Sequence, residues 1–176
     1  MQFKVSAHVR RVFGLVLVAG FVALTLSLSP GVASADGGGD HHNRHHEADV
    51  TFTKWVTNPT AFPWDMAGVV GGDVGDGSYV GHLLSLDPTD PNLWKLHALY
   101  EFHGDEHSFI ADVQVRQNNL TGTAVITGVV TKGWLKGARV TGEYTVLDPC
   151  AIATPGNAFG TLCFQGTLHL ERDSGD

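Results

Sequence analysis

From Val50 onward apolar and polar residues alternate with a period of two, the pattern of half-buried β-strands. Trp94, Leu96, Ala98, Tyr100 and Phe102 share one face, against Lys95, His97, Leu99, Glu101 and His103. The next run sets Phe109, Ala111, Val113 and Val115 against Ser108, Ile110, Asp112, Gln114 and Arg116. Three more follow: Ala124–Val130, Ala138–Val146 and Leu162–Leu170, each with every second residue apolar or glycine. Earlier in the chain, Val50–Val56 and Ser78–Leu86 read as strands, with a glycine-rich candidate at Met66–Val74. The pattern predicts eight strands, and no stretch of similar length has the 3.6-residue period of an amphipathic helix.

Short Gly, Asn and Asp turns such as His103-Gly104-Asp105-Glu106 join most of these strands, so sequential neighbours should pair antiparallel. Eight such strands predict an all-β, up-and-down, calycin-like barrel, because closure removes both exposed edges. A sandwich is the alternative. It needs longer crossing connections, which only Asp87–Asn92 and Asp148–Gly160 could provide.

The stretches Met66–Leu86 (MAGVVGGDVGDGSYVGHLLSL), Tyr100-Glu101-Phe102 and Gly128–Tyr144 (GVVTKGWLKGARVTGEY) resemble the barrel of the allene oxide cyclase and dirigent superfamily. Gly133-Trp134-Leu135-Lys136-Gly137-Ala138 is similar to that family's glycine-rich strand, with Trp134 and Lys136 where the family carries small residues. The resemblance spans roughly residues 66–170 and implies an allene oxide cyclase-like barrel, an isomerase or cyclase activity by confinement of a reactive substrate, and homo-oligomers formed through the outer faces. No residue maps onto the family's catalytic carboxylates, so the resemblance assigns no catalytic position.

The region before the strands reads differently. Lys4, Arg10 and Arg11 precede an apolar stretch from Gly14 to Leu28, and Ala33-Ser34-Ala35 offers a peptidase site. Residues 1–35 are therefore expected to be a signal peptide, cleaved after Ala35. The apolar stretch falls short of the roughly 20 residues of a membrane-spanning helix. Arg10-Arg11 also fits a twin-arginine signal, so the export route stays open. Residues 36–49 (DGGGDHHNRHHEAD) have almost no apolar residue and predict a disordered arm, with the barrel domain over 50–176.

Composition narrows the function classes. Eleven basic against 18 acidic residues leave a net charge of −7, with no basic stripe for nucleic acid. The expected protein is secreted, with no stable membrane insertion after cleavage. In an oxidising compartment Cys150 and Cys163 are expected to pair rather than remain buried thiols. Cys163 has the parity of Thr161 and Gln165, which predicts a bridge on the outer, polar face.

Three kinds of chemistry deserve weighing. His41, His42, His45 and His46 could hold a divalent transition metal loosely, although a solubilising arm explains the same residues. His103 and His107 flank a turn, where H-x-x-x-H spacing does not align ligands as it would on a helix, so a polar hairpin tip is expected. Glycine-rich Gly71–Gly77 lacks the lysine and helix of a phosphate loop, and no G-x-S-x-G occurs. The remaining lead is the lumen. Its inward set of Tyr100, Phe102, Phe109, Tyr144 and Phe164, interrupted by small residues, predicts either a pocket for a small apolar molecule or a filled core, the latter leaving an extracellular structural or interaction protein.

Overall fold

The computed structural model describes residues 46–60 and 62–172. Eight strands follow in chain order: β1 (His46–Asn58), β2 (Trp64–Gly72), β3 (Gly77–Asp90), β4 (Leu93–Gly104), β5 (Ser108–Asn118), β6 (Thr123–Gly133), β7 (Arg139–Leu147) and β8 (Cys163–Arg172). Each pairs antiparallel with the next, and β8 pairs with β1 to close an up-and-down barrel. The expected architecture is the observed one, and closure excludes the sandwich. Among the described residues no helix is long and apolar enough to cross a membrane.

The alternation sets the two faces as expected. Ala98, Tyr100, Phe102, Phe109, Ala111, Val113, Val115, Ala124, Ile126 and Val140 are buried in the lumen, while their neighbours face outward. A register shift between Leu83 and Ser85 resets the parity of β3, so that Leu86 packs against the core opposite Leu96.

Two glycines make the aromatic packing fit. A Cβ on Gly166 would stand 2.7 Å from Tyr144 Cβ and 2.9 Å from Phe52 Cζ, and one on Gly81 would stand 2.9 Å from the Tyr79 ring. The rings of Phe52 and Tyr79 therefore occupy space that a side chain at those positions would deny them.

Two boundaries differ from the sequence reading. β1 begins at His46, four residues ahead of Val50, and runs opposite β8 from Arg172 inward. Ala48 is buried, and Asp49 takes a hydrogen bond with His169 at 2.9 Å while its backbone N–H donates to Asp73. This length of β1 extends the β1–β8 seam that closes the ring, and the polar sequence around Ala48 conceals it. The segment 134–137, which the family resemblance places in a glycine-rich strand, forms the β6–β7 turn. The expected signal peptide and the arm up to residue 45 lie outside the described residues.

Cys150 and Cys163 are joined, with Cα atoms 5.5 Å apart. Cys163 has the outward parity expected, yet it is fully buried. The reason is the 148–162 connection, which folds against the outside of the barrel. Trp55, also outward-facing and buried, donates its indole N–H to the Pro155 carbonyl at 3.0 Å, and Ala158 N–H donates to the Val56 carbonyl at 2.8 Å. A small second core thus forms outside the wall, where the alternation alone predicts a wet surface.

Candidate functional site

The sequence Val50-Thr51-Phe52-Thr53-Lys54-Trp55-Val56 alternates so that Val50, Phe52, Lys54 and Val56 all point into the barrel. Lys54 is 2% exposed, the one buried charged-type side chain among the described residues. In the sheet it sits between Gly68 of β2 and Phe164 of β8. Its amine bonds the Tyr100 hydroxyl and lies 4.0 Å from the centre of that ring and 4.8 Å from the Tyr144 ring. Phe52, Tyr79 and Phe164 complete the surround at 5.5, 5.8 and 6.0 Å.

No Asp or Glu among the described residues pairs with this lysine. Burial without a counter-charge pushes its pKa well below the ordinary lysine range, because the charged form loses its hydration. The same burial raises Tyr79, Tyr100 and Tyr144 above the ordinary phenol range. Each shift favours the uncharged form of its group, because burial penalises charge.

Above the lysine the lumen opens. Val56, Trp64, Leu83, Leu96, Ala98 and Val115 wall a cavity whose polar groups are Lys54, Tyr100, Tyr144 and Gln117. About 80 Å³ of it is open to the centres of water-sized molecules. Tyr144 donates its hydroxyl proton to Gln117 Oε1 at 2.6 Å, and Gln117 Nε2 donates to Asn119 Oδ1 at 2.7 Å. Gln117 is thereby held on the β5–β6 turn at the cavity's rim. Phe159 of the 148–162 connection contacts Trp64 edge to face, with centroids 6.4 Å apart, and narrows the opening.

The opposite end is shut. Phe102 and Phe109 stack with centroids 4.5 Å apart, and Val74 and Leu135, from the β2–β3 and β6–β7 turns, are buried over them. The N–H groups of Glu106 and His107 both donate to the Val74 carbonyl, tying two turns into one cap.

The five aromatic residues expected in the lumen all face inward, but they divide. Tyr100, Tyr144 and Phe164 line the cavity, whereas Phe102 and Phe109 belong to the solid half. Lys54 and Gln117 escaped the sequence reading, although Lys54 stands on the apolar face of the Val50–Val56 alternation. A lysine at an inward position is the signal that would have found it.

The other candidates resolve into structure. His97 Nε2 meets Asp112 Oδ1 at 2.8 Å, and His82 Nδ1 meets Asp65 Oδ1 at 2.8 Å, both on the outer face. His103 lies 3.5 Å from Glu101 on the same face, and His107 stacks on Trp134 at 4.0 Å. Three or more metal-ligating side chains do not converge anywhere among the described residues. His41, His42 and His45 lie outside these residues, and His46 opens β1. A larger hollow of about 500 Å³ is an open saddle on the outer wall, lined by Thr51, Thr53, Thr145 and Thr167 together with Asp76, Glu143 and Gln165. Comparison with known proteins finds no matching family model, no curated relative and no matching solved structure.

Proposed function

We infer that this is an exported barrel protein that binds a small, largely apolar molecule in the open end of its lumen. The observation that carries the reading is the asymmetry of the interior: one half is filled by stacked rings, and the other keeps an apolar-walled cavity with a few polar groups. A cavity of about 80 Å³ suits a small molecule rather than a long lipid chain. Export is supported by the leader-like residues 1–35 and by the Cys150–Cys163 bridge.

The test is a titration of the isotope-labelled protein with 1-hexanol, read by two-dimensional NMR. Shifts are expected at Met66, Leu83, Ala98 and Val115, with none at Phe102 or Phe109. Ala98→Phe, which fills the cavity from its wall, should abolish them. Shifts confined to the threonine saddle, or none at all, would refute the reading.

A second reading, an isomerase of the kind the allene oxide cyclase resemblance implies, is favoured by one feature. The amine of Lys54 and the hydroxyl of Tyr100 sit in direct contact at the cavity floor, where proton transfer to a confined substrate needs such a pair.

A further inference from the structure

We propose that Lys54 is a covalent capture site that forms a Schiff base with a small aliphatic aldehyde held in the lumen cavity. The proposal rests on the ligand-binding reading above and specifies the ligand's chemical class.

Three features support it. Lys54 lines the cavity and is otherwise buried, so the cavity is the route by which a small molecule reaches it. The groups facing it from every neighbouring element are neutral: Phe52 on its own strand, Tyr79 on β3, Tyr100 on β4, Tyr144 on β7 and Phe164 on β8. Among the described residues no carboxylate pairs with the nitrogen to hold a proton there, and burial favours the uncharged amine, the form that attacks a carbonyl carbon. The Tyr100 hydroxyl touching the amine is placed to relay the proton that the addition requires.

The chemistry balances without any further reagent. The lone pair of Nζ adds to the carbonyl carbon to form a carbinolamine. The carbonyl oxygen then leaves as water, carrying the two hydrogens that the amine gives up, and a carbon–nitrogen double bond remains. No oxidation occurs, and water reverses the step. When the imine takes up a proton, its positive charge meets the faces of Tyr100 and Tyr144, which attract a cation as they would an ammonium. An aromatic surround without a carboxylate thus accommodates both the neutral amine and the charged adduct.

The experiment treats the protein with hexanal and cyanoborohydride at neutral pH and locates reduced adducts by peptide mapping. The expected result is one adduct at Lys54 ahead of Lys95, Lys132 and Lys136, suppressed by excess 1-hexanol. Lys54→Met should lose that adduct. Tyr100→Phe should slow trapping on the order of a hundredfold. If 1-hexanol binds at Ala98 and Val115 but hexanal labels only the other lysines, covalent capture is refuted and the binding reading stands. If neither molecule reaches the cavity, both fall. If hexanoate binds far more tightly than 1-hexanol and Lys54→Met removes that preference, the lysine serves as a counter-ion and the proposal is overturned.

Discussion

At one end of the lumen, Phe102 and Phe109 stack 4.5 Å apart beneath the buried Val74 and Leu135. At the other, Lys54, Tyr100, Tyr144 and Gln117 gather below a cavity with half-buried Trp64, Leu96 and Phe164 at its rim. Both halves come from the same strands and the same inward alternation. The difference lies in the tips of the side chains. Hydrocarbon ends interdigitate freely, and the lower half packs ring on ring. Phenol, amide and amine ends favour partners, and Tyr144 is held on Gln117 and Lys54 on Tyr100 short of the remaining space, although the buried Tyr79 hydroxyl finds none. Polarity inside a barrel therefore does two things at once: it costs stability and it preserves room.

The largest expected effect tests the solid half. Phe102→Ala should destabilise by roughly 3–5 kcal/mol in urea unfolding, as for other buried aromatic deletions. Phe164→Ala at the open end should cost only about 1–2 kcal/mol, because its ring is already partly wet. Equal losses would erase the distinction between the halves.

Reduction of Cys150–Cys163 comes next. Opening this loop should cost about 3 kcal/mol in the chain-entropy model. Hydrogen exchange should then accelerate at Val56, Ala158 and Leu147, and stay slow at Phe102 and Phe109. Faster exchange at the solid end would show that the bridge supports both halves.

Lys54→Met should act in the opposite direction, raising stability by about 1–3 kcal/mol, since it removes a buried amine without a counter-charge and keeps the volume. The wild-type pH dependence carries a matching signature. Because burial lowers the Lys54 pKa, the unfolded chain binds a proton that the fold rejects, between the folded value and the ordinary 10.5. Stability should rise with pH across that window. Above about pH 10 the raised tyrosines reverse the trend, because unfolding then releases their protons. Calorimetry of Lys54→Met across the same range should show the rise gone.

The smallest effect lies on the outer wall, beside the solid half. The hydrogen bond that His169 donates to the Asp49 carboxylate raises the histidine's pKa. Its contribution is fully present below the ordinary histidine value and disappears as pH rises through the folded one. His169→Asn should therefore cost a few tenths of a kcal/mol near pH 5 and nothing near about pH 8, as expected of an exposed pair. A large loss would mean that the β1–β8 seam, rather than the ring stack, holds that end together.

The strands were legible because period-two alternation records which side of a sheet meets water, and Tyr100, Phe102 and Phe109 could be placed inside from their neighbours alone. Lys54 carried the same information but reads as a surface residue by type, so parity and chemistry disagreed at the position that matters most. Trp55 and Cys163 show the converse. Their outward parity was readable, but their burial depends on where the 148–162 connection comes to rest.

The amino-acid sequence by itself determined the eight-strand count, the inward and outward faces, the antiparallel order and the pairing partners of the two cysteines. Each of these depends on neighbours a few residues apart or on a count of two. Tertiary structure alone decided that β1 starts at His46, that a second small core sits outside the wall, and that the lumen is solid at one end and open at the other. Those outcomes depend on how side chains from strands distant in sequence fill a shared volume. Lys54 on β1 meets Tyr100 on β4 and Tyr144 on β7 only after the ring closes.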